Sequence, residues 1–300
     1  MSTRAPGNQP SGHLRVLIAG CGYVGSALAE RLVAAGHEVW GLRRTPDGVP
    51  GGVHPFAADL SHPSTLQALP PHLDYVVYAV SPGGSSDEAY RAAYVEGVGN
   101  LLSAVVEQEQ APRRVLFTSS TGVYAQTEGE WVDEDSPTEP SSFSGQRLLE
   151  GERLLLGGPF PATVLRLGGI YGPGRTRLIE EVRAGSAACP PGTSAWSNRI
   201  HRDDCAGALH HLMMLDAPAP VYIGVDREPA PLCDILRWLA DRLGMPAPPV
   251  GDAAEGSRRG RAGRRSNKRC SSTRLAESGY EMRYRSYREG FGALIEAAGG

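Results

Sequence analysis

The sequence lacks the features that mark several classes of protein. It has no apolar run long enough to span a bilayer, so no membrane-spanning helix is expected. Its formal net charge is -3, which does not give the basic surface of a nucleic-acid binder. Residues 1–12 are polar or small and have no apolar signal core, so we expect a disordered tail there.

Cysteine is also scarce. The five cysteines are odd in number and include no C-x-x-C pair, which predicts neither a disulfide framework nor a metal site. Scattered thiols are typical of a reducing compartment, so we expect a cytoplasmic protein. The rest of the composition is that of an ordinary globular chain, and 300 residues suffice for one large α/β domain or two small ones.

The first positive signal is a glycine turn between two regular elements. Residues 14–19 are mostly apolar, as in a strand buried on both faces, and residues 26–35 are good helix formers. Between them lies the pattern G-x-G-x-x-G, formed by Gly20, Gly22, Tyr23, Val24 and Gly25. Such glycines allow a tight turn, the approach of a pyrophosphate and close helix packing. A glycine-rich surface turn is the alternative, but the flanking strand and helix favour a dinucleotide site.

The residues at the end of the next predicted strand indicate which cofactor is bound. NAD sites usually place an acidic residue there, whereas this chain has Arg43 and Arg44. Guanidinium groups suit a 2′-phosphate through paired, charge-assisted hydrogen bonds, which favours NADP over NAD. The alternative is that two exposed arginines simply end a strand.

Strand and helix patterns alternate along the chain. Strands are predicted at 37–44, 53–60, 73–81, 114–120, 162–167 and 221–224. Helices are predicted at 26–35, 61–69, 87–110, 142–156, 176–184 and 232–243. Alternation implies a Rossmann-type, doubly wound parallel sheet with helices on both faces. The Gly- and Pro-rich residues 168–175 and 189–198 are predicted loops.

Ligands of such sheets bind beyond the carboxyl ends of the strands. Candidate residues at those predicted ends are Gly20, Arg43, Asp59, Ser81 and Ser120. We therefore expect them to converge on one crevice. We predict a Rossmann domain over 13–168 and a smaller substrate lobe over 169–300, partly interleaved with the sheet. The basic run at 258–269 is interpreted as a solvated linker, with a phosphate-gripping arm over the substrate as the alternative.

The whole pattern resembles a known family, the extended and atypical short-chain dehydrogenases/reductases, also called NAD-dependent epimerases/dehydratases. The matching segments are the glycine turn, Asp59-Leu60, 119–124, 166–174 and 200–206. The resemblance implies that Asp59 and Leu60 contact the adenine and that Ala79 and Ser81 line the adenosine side. It also implies that Ser120 is the active-site hydroxyl.

One family element is replaced in this chain. The family's Tyr-x-x-x-Lys pair, which moves a proton and holds the ribose, corresponds here to Phe143 and Arg147. Phe143 has no ionisable proton, while Arg147 can hydrogen-bond a ribose but cannot relay a proton, since its pKa lies above about 12. Other candidate acids or bases, each of which also fits a packing or structural role, are Tyr94, Glu96, Tyr124, Tyr171 and His201.

Two functional hypotheses follow from these residues. The first is an NADP- or NAD-dependent epimerase/dehydratase or reductase acting on a sugar-like or nucleotide-linked small molecule. The second is a non-catalytic NADP-binding redox sensor or scaffold that has lost the proton relay. The resemblance also implies a homodimer through the helices at 87–110 and 142–156, although their apolar faces also suit a core.

Overall fold

The computed structural model describes residues 12–189, 195–251 and 267–299. The predicted tail therefore lies outside the described residues, apart from Gly12. Residues 258–266 of the basic run lie outside them as well. Within the described ranges, no helix is both long and apolar enough to cross a membrane.

The regular elements follow the alternation expected from the sequence. The strands are β1 (Arg15–Ala19), β2 (Glu38–Arg43), β3 (His54–Ala57), β4 (Tyr75–Tyr78), β5 (Arg114–Ser120), β6 (Glu130–Val132), β7 (Ala162–Leu167), β8 (Gly169–Tyr171), β9 (Trp196–Ser197), β10 (Arg199–His201), β11 (Val221–Gly224), β12 (Ala230–Pro231) and β13 (Lys268–Cys270). The α-helices are α1 (Tyr23–Ala34), α2 (Asp87–Arg91), α3 (Gly97–Glu107), α4 (Phe143–Leu156), α5 (Arg177–Arg183), α6 (Arg202–Met214), α7 (Leu232–Arg242), α8 (Thr273–Glu277) and α9 (Tyr287–Gly299).

Seven strands form one parallel sheet in the order β11-β7-β5-β4-β1-β2-β3. Strand β1 pairs in parallel with both β2 and β4, and residues 16–19 have no exposed surface. This burial explains why β1 is a continuous apolar run rather than an alternating one. The predicted fold class, a Rossmann-type α/β sheet with helices, is confirmed.

By its contacts the chain divides into two compact units. The first comprises Met1–Ser119, Ser142–Arg166 and Ala206–Tyr222, and the second Ser120–Ser141, Leu167–Cys205 and Ile223–Gly300. Three small strand pairs, β8–β10, β6–β13 and β9–β12, belong to the second unit. The division into domains at residue 168 stays a prediction.

The helix predicted over 87–110 is interrupted by a π-helical turn at Ala92–Glu96, between α2 and α3. The carbonyl of Ala93 accepts a hydrogen bond from the hydroxyl of Tyr78, a side chain of the sheet strand β4. A β-carbon at Gly97 would lie 2.5 Å from the same hydroxyl. The sheet therefore fixes the extra residue of the π turn, which local helix propensity does not reveal.

Three local predictions were wrong. The segment at 168–175 contains β8, and the one at 189–198 contains β9, because each has a short strand partner elsewhere in the second unit. The helix predicted at 61–69 is only a 3-10 turn, Pro63–Leu66.

The cysteine spacing predicted no disulfide framework, but the structure contains a disulfide within the second unit. Cys189 and Cys233 are joined in a disulfide across 44 residues of sequence. Their Cα atoms lie 5.3 Å apart because the folded second unit brings the start of α7 next to Cys189. This closeness is a tertiary effect that cysteine spacing does not show.

Candidate functional site

The glycine turn after β1 has the geometry that its three glycines predict. Gly20 has a φ of 88°, and a β-carbon there would lie 2.7 Å from the backbone of Ala79. At Gly25 a β-carbon would lie 2.4 Å from the carbonyl oxygen of Gly20. Side chains at these two positions would therefore disrupt the contact with β4 and the packing of the helix.

Gly22 differs from its two neighbours because the space beside it is open. Among the residues that the structure describes, a β-carbon at Gly22 would have only the Gly20 carbonyl oxygen nearby, at 4.0 Å. Gly22 is also the N-cap of α1, whose first residues are Tyr23 and Val24. The N–H groups in the first turn of an α-helix have no acceptor within the helix, and together they form a positively polarised end. The turn therefore offers an open approach to a helix N-terminus.

Cys21 fills a structural position in this turn. Its side chain is fully buried, its sulfur lies 3.8 Å from the hydroxyl of Ser26, and burial raises the pKa of its thiol. A β-carbon at Gly41 would lie 2.9 Å from the same sulfur. Cys21 is thus a small packed residue between β1 and β2.

The two arginines at the end of β2, Arg43 within it and Arg44 directly after it, have different surroundings. The guanidinium of Arg43 donates to the carbonyl of Gly48 at 3.2 Å, and the side chain is half-buried. The Arg44 guanidinium is exposed and lies 3.9 Å from the position of a β-carbon on Gly83, in the segment after β4. Arg44 also helps to lower the pKa of the Asp59 carboxyl. The first unit therefore brings the segments after β2, β3 and β4 together at one end of its sheet.

Asp59 and Leu60 follow β3 and are held by local hydrogen bonds. The Asp59 carboxylate accepts from the hydroxyl of Ser61 at 2.7 Å and from its N–H at 3.0 Å, which lowers the pKa of Asp59. The Leu60 carbonyl accepts from Asn100 on α3 at 2.7 Å. These bonds fix the backbone at the sheet edge and occupy one oxygen of the Asp59 carboxylate.

The residues after β4 form the other side of this end of the sheet. The N–H of Ala79 donates to the carbonyl of Ala19 at 2.7 Å, which continues the β1–β4 pairing towards the glycine turn. Ser81 follows two residues later and is exposed. Gly20 and Ala79 are thus neighbours, and the role of Ala79 and Ser81 at the adenosine stays a prediction.

Ser120, the predicted active-site hydroxyl, is the last residue of β5 and belongs to the second unit. Its Oγ accepts a hydrogen bond from the N–H of Gly122 at 3.0 Å and so caps the short 3-10 turn Thr121–Val123. The next residue, Tyr124, is almost fully buried. Its carbonyl accepts from Nζ of Lys268 at 3.0 Å.

Lys268 is the single lysine of the chain, and the sequence analysis missed it. It lies on β13, only 3% of its surface is exposed, and burial lowers the pKa of its amine. A signal was available, since one lysine among 30 basic residues is unusual. Its burial depends on the pairing of β13 with β6, which local sequence does not show.

The pair that replaces Tyr-x-x-x-Lys lies at the start of α4. The ring of Phe143 is 40% exposed and meets Tyr90 edge-on, with the centroids 5.5 Å apart. Arg147 donates to both carboxylate oxygens of Asp87, at 2.8 and 2.9 Å, and to Glu150 at 2.7 Å. These carboxylates raise the pKa of Arg147 further. Its guanidinium therefore joins α4 to α2, and ribose binding by Arg147 stays a prediction.

A buried ionic network within the first unit was also missed. Glu152 on α4 accepts from the hydroxyl of Ser119 at 2.5 Å and from Arg166 on β7 at 2.6 Å. The side chains of Glu152 and Arg166 are 2% and 6% exposed. The network holds the carboxyl end of β5 against α4, and it rests on residues far apart in sequence.

The other candidate acids and bases are mostly buried packing residues. Tyr94 lies in the first unit, and burial raises its pKa to about 12. In the second unit, His201 is 2% exposed, and burial lowers its pKa to about 4. Its ring meets Tyr171, whose hydroxyl is buried and has no hydrogen-bond partner within the described residues. Glu96 is paired with Arg91 at 3.2 Å.

Sheet order, glycine turn and helix N-terminus together define a dinucleotide-binding Rossmann-type protein. The sequence model of the NAD-dependent epimerase/dehydratase family matches residues 16–223, which is more than half of the chain. The chain belongs to the NAD-dependent epimerase/dehydratase family.

Two similar proteins cover most of the chain. A solved structure from Methylobacillus flagellatus, named as a candidate NAD-dependent epimerase/dehydratase, is 41% identical with a TM-score of 0.80. The comparison covers 96% of this chain and 100% of that one. The 3-diazoavenalumate denitrifying reductase of a Streptomyces species is 30% identical over 257 residues, which is 78% of this chain and 83% of the relative.

A second solved structure carries ligands. It is the enzyme WbmG of Bordetella bronchiseptica in complex with NAD and UDP, which is 19% identical with a TM-score of 0.77. The comparison covers 95% of this chain and 94% of that one. At this level of identity the likeness shows the fold alone.

Proposed function

We propose that the chain binds NADP at the glycine turn of the first unit, with NAD as the weaker ligand. The open space at Gly22, in front of the N-terminus of α1, is the observation that carries this proposal. The backbone of Gly22, Tyr23, Val24 and Gly25 would hold the pyrophosphate, because a helix N-terminus attracts an anion. The tight contacts at Gly20 and Gly25 support the assignment, since they keep side chains out of the turn.

Arg43 and Arg44 carry the preference for NADP. Arg43 is the last residue of β2 and Arg44 follows it, at the place where an acidic residue would serve the ribose of NAD. Two guanidinium groups supply donors for a 2′-phosphate, and the hydrogen bond of Arg43 to the Gly48 carbonyl uses one of the five donors on its guanidinium. Asp59, Leu60, Ala79 and Ser81 would line the adenosine side.

We propose that the reaction is a reduction or epimerisation of a sugar-like or nucleotide-linked small molecule. Family membership and the reductase from Streptomyces support the reaction class. The nucleotide-linked substrate is a hypothesis suggested by WbmG, which shares the fold and was solved with UDP. The dinucleotide, when bound, supplies hydride transfer. Ser120 would polarise the substrate oxygen, and Arg147, if released from Asp87, would hold the ribose. Phe143 excludes the proton transfer of the usual tyrosine.

A non-catalytic NADP-binding sensor is the second candidate. The observation in its favour is the state of Arg147, because two carboxylates occupy its guanidinium and it ties α4 to α2. A residue with this role stabilises a helix pair and needs no substrate. The predicted homodimer through the helices at 87–110 and 142–156 is compatible with both candidates.

Calorimetric titration with NADPH and NADH tests the cofactor proposal. We expect NADPH to bind more tightly, and Arg43→Ala with Arg44→Ala to weaken NADPH at least tenfold while leaving NADH unchanged. Arg31→Ala, at the far end of α1, is the control for loss of one positive charge. Equal affinity for the two cofactors in the wild type would refute the NADP preference, and binding of neither would refute the site.

Turnover separates the two candidates. Ketone reduction by NADPH, followed at the cofactor absorbance, is measured for the wild type, Ser120→Ala and the double variant Phe143→Tyr with Arg147→Lys. Loss of a measurable wild-type rate in Ser120→Ala supports the enzyme. Activity that appears only in the double variant supports the sensor. The wild-type pocket would then be complete except for the proton relay, which the double variant restores.

A further inference from the structure

Lys268, the single lysine of the chain, is a buried charged group that the proposed reaction does not use. It lies on β13, only 3% of its surface is exposed, and burial lowers the pKa of its amine. Within the described residues no carboxylate pairs with this amine, and the charged neighbour that affects its pKa is the thiol of Cys270 on the same strand. Burying a lysine without an acid is costly, since charged side chains are almost never fully buried unless they are paired. A residue kept at such a cost calls for a role beyond packing.

The amine of Lys268 binds the turn that follows β5. Its Nζ donates to the carbonyl of Tyr124 at 3.0 Å. The N–H of Tyr124 donates to the carbonyl of Thr121 at 3.2 Å. The N–H of Gly122 donates to the hydroxyl of Ser120 at 3.0 Å. Ser120 and the Lys268 amine are therefore at opposite ends of one hydrogen-bonded turn, residues 120–124, which is called the Ser120 turn below.

A second side chain of β13 contacts the same turn. Side chains two residues apart lie on one face of a strand, and the thiol of Cys270 forms a hydrogen bond with Thr121. Arg269 lies between Lys268 and Cys270 and belongs to the opposite face, where it donates to the carbonyl of Gly129 at 2.8 Å. The Ser120 turn thus packs on the Lys268 face of β13. Arg269 is a basic residue of the same strand whose hydrogen bond goes to a different segment.

The backbone of β13 is fixed along both of its edges. One edge pairs in parallel with β6, and Lys268 lies opposite Glu130 in that register. At the other edge the side-chain amide of Asn198 donates to the Lys268 carbonyl at 3.0 Å and accepts from the N–H of Cys270 at 2.7 Å. The side chain of Lys268 therefore starts from a fixed point, and its hydrogen bond to Tyr124 can determine where the Ser120 turn lies.

We propose that Lys268 is a positioning residue for Ser120, whose hydroxyl it orients towards the substrate by holding the Ser120 turn on β13. The proposal rests on the catalytic role proposed above for Ser120. Both residues belong to the second unit, so the argument depends on that unit alone. An ionised donor forms a stronger hydrogen bond than a neutral one, which is what a lysine adds at this place. An apolar side chain would leave the Tyr124 carbonyl without this donor.

Hydrogen–deuterium exchange of the full chain tests the position of the turn without any substrate. Peptides that cover residues 120–124 contain the N–H groups of Gly122 and Tyr124. We expect Lys268→Met to speed their exchange at least tenfold, and Lys268→Arg, which keeps the charge and the donors, to restore most of the protection. Arg269→Met is the matched control and should leave the exchange of these peptides unchanged. If circular dichroism shows that Lys268→Met does not fold, Lys268→Gln, whose shorter side chain ends before the amine position, takes its place.

A double-mutant cycle tests whether Lys268 acts through Ser120. NADPH oxidation with dihydroxyacetone, a sugar-like ketone, is measured for the wild type, Ser120→Ala, Lys268→Met and the double variant. We expect each single substitution to lower kcat/KM for the ketone at least tenfold, and the double variant to fall no further than Ser120→Ala. The KM for NADPH should stay within twofold. A merely structural lysine would instead give losses that multiply in the double variant.

The outcomes separate this proposal from the proposed function. Exchange of the Ser120 turn in Lys268→Met that matches the exchange in Arg269→Met overturns the positioning role, as do losses that multiply in the double variant. A wild type that does not reduce the ketone, or full activity in Ser120→Ala, refutes the proposed role of Ser120 and with it the positioning role of Lys268. The exchange result distinguishes the two failures, because it depends on the turn and not on turnover.

Discussion

The buried network of Glu152, Arg166 and Ser119 gives the sharpest prediction about stability. Glu152→Leu would leave the guanidinium of Arg166 without its carboxylate in a site where that side chain is only 6% exposed. Removing one partner of a buried ion pair typically costs about 3–5 kcal/mol, because the other charge stays buried and unpaired. We expect the same range for Arg166→Met.

The double variant distinguishes pairing from simple loss of packing. With both charges gone, no unpaired ion remains, and the cost of Glu152→Leu with Arg166→Met should be at least about 2 kcal/mol smaller than the sum of the single costs. Ser119→Ala removes one hydrogen bond to a charged group and should cost about 1.5–3 kcal/mol. Urea unfolding followed by circular dichroism measures each free energy of unfolding.

A surface pair supplies the control for this experiment. Arg242 and Glu296 form an ion pair at 2.8 Å, with side chains 50% and 68% exposed. Because solvent screens such pairs, Glu296→Gln should change the free energy of unfolding by less than about 1 kcal/mol. The reasoning is refuted if Glu152→Leu costs no more than Glu296→Gln, or if the two single costs simply add.

Three further predictions concern single residues. Burial raises the pKa of Asp226 to about 8 in the folded protein, so its contribution to stability is complete at low pH and is lost as the pH rises towards 8. From pH 6.5 to 8 the free energy of unfolding should fall by at most about 2 kcal/mol, and this fall should be absent in Asp226→Asn. Urea unfolding at both pH values measures it. The amine of Lys268 should resist acetic anhydride in the native protein and react in urea. Mass spectrometry should therefore find one acetyl group, on the N-terminus, in the native protein and a second one, on Lys268, in the unfolded chain. Equal labelling of both states would contradict the burial of Lys268. Gly25→Ala should abolish NADPH binding because its β-carbon meets the Gly20 carbonyl, whereas Gly99→Ala on α3 has open space and should bind normally.

The sequence predicted the parts of the fold that local patterns control. The apolar run before Gly20, the helix formers after Gly25 and the alternation of elements follow from burial on both faces of a parallel sheet. The same logic predicted that Gly20 and Ser81 converge on one crevice, and the structure places Gly20 beside Ala79. The roles of the individual site residues stay predictions.

Features that depend on long-range contacts escaped the sequence analysis. Glu152 and Arg166 are ordinary charged residues until α4 packs beside β7, and Lys268 is an ordinary lysine until β13 pairs with β6. The link between Cys189 and Cys233 likewise needs the folded second unit. In each case the decisive partner lies at least 14 residues away, beyond the reach of periodicity and turn patterns.

The π turn between α2 and α3 also sets the angular phase of the helix that precedes it. Each residue of an α-helix turns the chain by about 100°, so deleting Ala93 to restore a regular helix would rotate α2 by about that angle relative to α3. Asp87 would then point away from Arg147, and Tyr90 away from Phe143. One extra residue thus determines which side chains of α2 face the start of α4, and the hydrogen bond from Tyr78 on the sheet holds that residue in place.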